Sequence, residues 1–342
     1  MRIIRFVPLT LMLLCLANDA LAQNRINREI AETLLLYQRD NGAWPKNYKW
    51  SVVDDATRKE LLSQKQKNDT TIDNSATRKE IQYLARAYAA FNDDRYRQAA
   101  LAGIAYLLEA QYANGGWPQY YPRPTGYHKH ITFNDNAMIG VMSLLQDIAQ
   151  GKSEYAFVDD QTRERAARAV QKGIDCILKC QVIVKGKKTA WCAQHHETTL
   201  EPQLARSYEL ASLSGAESVN IVRFLMAIEP PTPEITDAIE SAAAWFAQAR
   251  IEGIRVDRVR DPSAPGGWDR VVVEDASAPS LWARFYEIET NRPFFCSRDG
   301  IPRYRLSEIS HERRNGYSWL GDYAGSLLKE AYPAWRKKHV PE

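Results

Sequence analysis

An all-α fold of antiparallel helical hairpins, with a few short strands in its loops, is what this sequence predicts. Three observations predict it. Apolar residues recur with helical period along most of the chain. A phrase occurs twice, as Gln38-Arg-Asp-Asn-Gly-Ala-Trp-Pro45 and as Gln111-Tyr-Ala-Asn-Gly-Gly-Trp-Pro118, each time after a helix-like stretch. No alternation of strand and helix signals appears, which argues against a parallel sheet. Internal repetition on this scale means stacked supersecondary units. Consecutive helices joined by short loops pack antiparallel. Hairpins of this size close into an α/α toroid, an incomplete α/α barrel, whose loops gather at one end and form a cleft.

The helices follow in order. Ile30, Leu34, Leu35 and Tyr37 mark the first apolar face. Ile81, Leu84, Ala85, Tyr88 and Ala89 mark the next, followed by Leu101, Ile104, Ala105, Leu107 and Leu108. Ala137, Met138, Val141, Met142, Leu144 and Leu145 mark another. Further helices are expected near 163–181, 218–228, 233–251 and 318–336. The repeated phrase fits a helix exit, with Gly at the C-cap, Trp packing back and Pro blocking continuation. Partial echoes stand at Gln181…Trp191 and at Gly266-Gly267-Trp268. Short strands are expected at 182–184 with 189–191, turned at Lys185-Gly186, and at 270–273.

Residues 1–22 read as a signal peptide: Arg2 and Arg5, an apolar run from Phe6 to Ala17, and Ala20-Leu21-Ala22 before Gln23. The run is short for a membrane span. Export to the periplasm or medium is expected, and the mature chain, residues 23–342, is long enough for one large domain or two. No later stretch is long and apolar enough to cross a membrane. The formal charge of +3 falls to +2 once Arg2, Arg5 and Asp19 are removed. That near-neutral balance, with no basic block, argues against nucleic acid. A local basic site for an acidic ligand is still permitted. Cys176, Cys180, Cys192 and Cys296 show no zinc spacing. A Cys180–Cys192 bridge and buried free thiols are both compatible with that spacing.

Three groups of loop residues can carry chemistry. Asp73, Asn74, Asn134, Asp135 and Asn136 offer hard oxygen ligands suited to Ca²⁺. Each group also precedes a helix, where Asx residues are favoured N-caps. The segment from Trp191 to Glu197, leading to Arg206-Ser-Tyr-Glu209, is dense in titratable groups. Its His195-His196 pair lacks the spacing of a zinc helix, and Ser212 and Ser214 lie in no nucleophile elbow. The third group is Arg206, Arg284, Arg292, Arg298, Arg303, Arg313 and Arg314. Arginine forks bind carboxylates bidentately.

Several long phrases in one order carry a resemblance. They are Gly115-Gly-Trp-Pro-Gln-Tyr-Tyr-Pro122, His130-Ile-Thr-Phe-Asn-Asp-Asn-Ala-Met138 and Thr189-Ala-Trp-Cys-Ala-Gln-His195. With them stand Arg206-Ser-Tyr-Glu-Leu-Ala-Ser-Leu-Ser-Gly215, Trp282-Ala-Arg-Phe-Tyr-Glu-Ile288 and Asn291-Arg-Pro293. Together they resemble the pectate lyases of polysaccharide lyase family 10, from about residue 27 onward. The resemblance implies an α/α toroid and a monomeric enzyme that cleaves polygalacturonate by Ca²⁺-dependent anti β-elimination. It implies Arg206 as catalytic base and Asp135 as principal Ca²⁺ ligand. Asp73 would share a bridging Ca²⁺ or, with Asn74, hold the sugar. Arg292 would clamp a substrate carboxylate, with Arg284 and Arg298 as further substrate arginines. One departure is the Glu201-Pro202-Gln203 turn, which lacks the basic residue expected beside Pro.

Other readings are a glycoside hydrolase on the same toroid using Asp73 and Asp135, or a non-catalytic pectate binder. The Gln…Gly-x-Trp phrase is shared with triterpene cyclases. Their Asp-x-Asp-Asp acid motif is absent, since 52–55 and 157–160 lack its first Asp.

Overall fold

The computed structural model describes residues 26–340. The expected signal peptide, its cleavage site and the start of the mature chain lie outside them. Eight helices form the frame: α1 (Arg28–Tyr37), α2 (Asp55–Ser63), α3 (Arg78–Phe91), α4 (Asp94–Glu109), α5 (Ala137–Ala149), α6 (Asp160–Cys180), α7 (Glu217–Met226) and α8 (Pro233–Gln248). Caps start several of them. The Asn27, Asp93, Asp159 and Thr232 side chains each accept a first-turn backbone N–H, and Pro233 opens α8 without wasting a donor.

Helices α3/α4, α5/α6 and α7/α8 pack as hairpins. The hairpins stack so that α1, α4, α6 and α8 form one row and α3, α5 and α7 the other. Position explains composition. Helix α5, hemmed in by α3, α6 and α7, buries Met138, Ile139, Val141, Met142, Leu144, Leu145 and Ile148. One apolar cluster runs from Ala31 to Trp335. A second, built on Tyr208, Phe285, Phe295 and Trp319, underlies the segment after residue 205.

The long connections leave the C-terminal ends of α1, α4 and α6 and return to the N-termini of α3, α5 and α7. Antiparallel packing therefore collects them at one end. The repeated phrase builds them. Trp44 Nε1 donates to Leu34 O (2.7 Å), Trp117 Nε1 to Leu107 O (2.7 Å) and Trp191 Nε1 to Ile177 O (2.8 Å). Each indole thus bonds a carbonyl in the last turns of its own helix, although Leu34 O also accepts Gln38 N at 3.1 Å. Each glutamine spans outward. Gln38 Nε2 donates to Gly42 O and to Ala99 O on α4. Gln111 Nε2 does so to Gly115 O and Ala169 O on α6, and Gln181 Nε2 to Thr189 O and Ala238 O on α8. Gly42 (φ +88°) and Gly115 (φ +95°) are forced twice over. A Cβ there would lie 2.5 Å from Ala102 O or 2.0 Å from Lys172 O, the backbone of the next hairpin.

Several expectations are corrected. Gly266-Gly267-Trp268 is no further copy: Trp268 is 42% exposed and opens a strand. The fourth buried indole of this kind is Trp282, whose Nε1 donates to Phe246 O. The strand expected at 270–273 spans Trp268–Glu274 and pairs with Ile254–Arg260. The turn at Lys185-Gly186 is as expected, with both residues at positive φ. Helix α2 has no sequence signal because it buries little beyond Leu61. The helix expected over 318–336 is broken. Leu320–Gly321 pairs with Trp282–Ala283, and a π-helical stretch, Leu327–Ala331, precedes the helix Tyr332–His339. Pro333 has no N–H to continue an α-helical ladder through that point. The four described cysteines are buried free thiols.

Two outcomes check this packing. Trp117→Ala removes a fully buried ring and its hydrogen bond, and denaturant unfolding is expected to show a loss of about 3–5 kcal/mol. Glu80 is buried on α3, accepts from Tyr48 Oη at 2.9 Å, and leaves its Oε2 unpartnered. Burial pushes its pKa up to about 7. Its neutral form is the one the fold prefers, so its contribution is complete at low pH and lost as pH rises through about 7. Buried His195, pushed down to about 4 by desolvation, has the opposite slope. The difference between wild type and Glu80→Gln isolates the first effect. Wild type is expected to lose roughly 3 kcal/mol relative to the variant between pH 4.5 and 8.

Candidate active site

Two short 3-10 turns lie side by side at the loop end: Asp73–Ser75 before α3 and Asn134–Asn136 before α5. They are backbone copies. Asn74 (φ 49°) matches Asp135 (φ 50°), and Ser75 (φ 62°) matches Asn136 (φ 60°). Asn and Asp tolerate this left-handed region better than other side chains. Each turn hangs from the next loop. Ile72 N donates to Gln119 O, and Phe133 N donates to Ala193 O. Thr77, also at positive φ, is locked by bonds from Trp44 N and to Thr71 O. The capping role open to these Asx residues is not taken up. Neither α3 nor α5 has a side-chain N-cap bond. The side chains of Asp73, Asn74, Asn134 and Asp135 line a cleft instead.

The cleft holds about 220 Å³ and is lined by Lys46, Asn47, Asp73, Asn74, Gln119, Tyr127, Asn134, Asp135, Gln194, Arg206 and Glu209. Asp73, Asn74, Asp135 and Arg206, predicted from sequence, are thus brought together. Asp73 is buried and ion-paired with Lys46. Burial alone would lower the Lys46 pKa, but the Asp73 partner outweighs it and the net shift is upward. Asn74 Nδ2 donates to Asn47 Oδ1, and Asn134 Nδ2 to Asp135 Oδ2.

Arg206 is held by Glu209. Its Nε donates at 2.7 Å, and its Nη2 and backbone N also donate to that carboxylate. The guanidinium lies 5.1 Å from the Tyr208 ring and 5.8 Å from that of Tyr317, and Tyr317 Oη donates to Glu209 at 2.7 Å. Desolvation works to lower the Arg206 pKa, yet Glu209 raises it overall. Arg284 lies beneath. It pairs with buried Glu217, reaches Asp135 Oδ1 at 3.4 Å and packs 4.8 Å from the Tyr317 ring. Burial raises the Glu217 pKa, with Arg284 opposing. Arg298 bonds Glu312 and sits 5.5 Å from the Tyr208 ring, on the rim beside Arg206. Arg292 is not among the lining residues; it stacks on Tyr304 at 3.4 Å.

Lys46, Gln119, Tyr127 and Glu217 escaped the sequence reading, while Gln194 and Glu209 lie in the 191–209 stretch that it singled out without giving either a role of its own. A signal existed for two of them. Lys46 and Gln119 each follow the Trp-Pro of one copy of the repeated phrase, so the repeat delivers both to one face. A larger groove, about 860 Å³ beside the 183–189 turn and α8, includes none of the residues singled out around the two turns.

The cleft is rich in unused oxygen. Asp73 Oδ1, Gln119 Oε1 and Gln194 Oε1 are buried without a hydrogen-bond partner; Asn136 Oδ1 is also unpartnered, but Asn136 does not line the cleft. Unpaired buried acceptors are costly, and this donor set fits a hard cation. Among the described residues no cluster of three or more His, Cys, Asp or Glu could hold a metal by itself. Amide oxygens, water or ligand carboxylates must complete the shell.

The model for pectic acid lyases matches residues 38–328, and the chain belongs to that family. A Family 10 polysaccharide lyase from Cellvibrio cellulosa is 36% identical, with a TM-score of 0.77, covering 91% of this chain and 91% of that chain. A mutant of the Family 10 enzyme from the same organism, in complex with trigalacturonic acid, aligns at 36% identity and TM-score 0.77, covering 91% and 92%. No curated protein matches the chain.

Proposed function

We propose that this lyase cleaves (1→4)-α-D-galacturonan by Ca²⁺-dependent anti β-elimination, with Arg206 as base. The reading is supported most by one observation: Arg206 shares a cleft with two acid-bearing turns and their unpartnered oxygens. Asp135 and Asp73 would hold the ion, with Asn74 and neighbouring amides around them. An ion bound there would neutralise the substrate carboxylate and so acidify the C5 proton.

The chain's own groups do the rest. Neutral Arg206 takes the C5 proton, that electron pair forms the C4–C5 double bond, and the C4–O bond breaks with its electrons going to the leaving oxygen, which takes a proton from water to become the hydroxyl of the departing sugar. Arg284, preorganised between Glu217 and Asp135, adds fixed positive charge beneath the developing anion. Arg298 extends that charge along the rim, and Arg292 serves a more distant sugar. Lys46, once drawn from Asp73, gains a substrate carboxylate in exchange. The stacked rows are read as an open toroid. The enzyme acts as an exported monomer without residues 1–22, which N-terminal sequencing and sedimentation would check.

Arg206 must lose its proton to act, and Glu209 opposes that. Activity is expected to rise with pH as Arg206 deprotonates. Glu209→Gln removes the partner that raises its pKa, so the rising limb of the pH–rate profile is expected to move to lower pH. An unchanged limb would rule out Arg206 as the titrating base.

The direct test is ultraviolet absorbance of products from polygalacturonate, with Ca²⁺ and then with EDTA. Wild type is expected to give an absorbing unsaturated uronide only with Ca²⁺. Arg206→Ala is expected to fall roughly 10²–10⁴-fold while remaining folded. New reducing ends without absorbance would mean hydrolysis and defeat the reading.

A further inference from the structure

The hairpin of strands Ile254–Arg260 and Trp268–Glu274 is longer than any other strand pair among the described residues, and the proposed reaction makes no use of it. Its register sorts its charges. Cross-strand partners share a face, so Arg258 with Arg270, Arg260 with Trp268 and Val256 with Val272 lie on one side. Asp257 and Asp269 lie on the other. Those acids are compensated: Arg255 pairs with Asp257 and Asp275, and Arg314 pairs with Asp269.

The first face is different. Among the described residues Arg258, Arg260 and Arg270 have no carboxylate partner. Arg258 stacks 5.1 Å from the Trp268 ring. Trp268 and Val272 are each 42% exposed, and Arg258 and Arg260 are exposed beside them. The acid on this face, Glu274, sits at the far end opposite Ile254. Val256 packs on the second apolar cluster and Arg270 is half-buried, so the open part of this face is Arg258 and Arg260 beside an exposed indole, two positive charges without a carboxylate partner. One residue, Tyr317, ties this face to the arginines of the site. Arg270 Nη1 donates to Tyr317 O at 2.6 Å, and the ring of Tyr317 underlies Arg284 and Arg206.

We infer that this hairpin face is a second binding site for an acidic polysaccharide, holding sugars of a long uronate chain beyond those in the cleft. The inference rests on the proposed substrate class. The chemistry matches in both parts. An indole face stacks on the apolar side of a pyranose. Guanidinium groups on either side take uronate carboxylates bidentately, as a lysine would not. The face selects chain length; it takes no part in bond cleavage.

The test separates long chains from short ones. Binding of polygalacturonate is measured calorimetrically in EDTA, and turnover of trigalacturonate is measured with Ca²⁺. Arg260→Ala/Trp268→Ala is expected to weaken polymer binding about tenfold, as loss of a desolvated cation–aromatic contact implies, with trimer turnover within about twofold of wild type. Arg258→Gln/Arg260→Gln keeps the indole and the strand pairing, and is expected to weaken polymer binding in the same direction. It covers the case in which the first variant unfolds. Polymer affinity unchanged in the folded variants would overturn the inference, whatever the trimer does. A wild type that binds no polygalacturonate would overturn it too. A wild type that binds polymer but never cleaves it would sink the lyase reading alone, if the variants lose that binding.

Discussion

Everything at the loop end depends on how each long connection is anchored. An indole N–H closes the last turn of the helix behind, and a glutamine amide reaches the helix of the next hairpin. These are neutral hydrogen bonds, each worth only about 1 kcal/mol net. Their importance is geometric. A loop tied at both ends can hold a left-handed turn that would otherwise relax. The strain of consecutive positive-φ residues, of order 1–3 kcal/mol each, persists only where the surroundings over-determine it. The tethers provide that surrounding, and the acid-bearing turns follow from it.

The cleft built on those turns is charged yet internally balanced. Lys46 rests on Asp73, Arg206 on Glu209 and Arg284 on Glu217. Free cations in a confined site would repel one another, whereas paired ones can be brought close. On the proposed function, a substrate carboxylate that drew Lys46 from Asp73 would free that acid for a cation, so that substrate and ion would support each other's binding.

The hairpin frame was legible from periodicity, since α3, α4, α5 and α6 each bury a regular stripe. Helix α2 and the C-terminal segment were not. One is too polar to leave a stripe, and the other is interrupted by a strand pairing that only tertiary contact dictates. At the site, the phrases carried Asp73, Asn74, Asp135 and Arg206 into one cleft. Glu217 was not legible, because a buried carboxylate under an arginine looks in sequence like any surface acid; Glu209 stood in a titratable stretch already singled out, but its pairing with Arg206 did not show. Arg292 shows the converse. Its phrase is distinctive, yet its guanidinium is committed to Tyr304, away from the lining. Trp268 was misread because Gly-Gly-Trp looks the same at a strand start as in a tethered loop.

The two turns also carry their acids in opposite order, Asp73-Asn74 in one and Asn134-Asp135 in the other. Their backbones match position for position, so the acid lies at the first place in one turn and the second in its copy. Asp and Asn are nearly equal in shape and both suit a left-handed residue. The chain can therefore move a negative charge between these four positions without disturbing the loop that presents it. Scaffold and charge pattern are separately adjustable, which leaves a duplicated loop free to diverge in ligand while its fold is held constant.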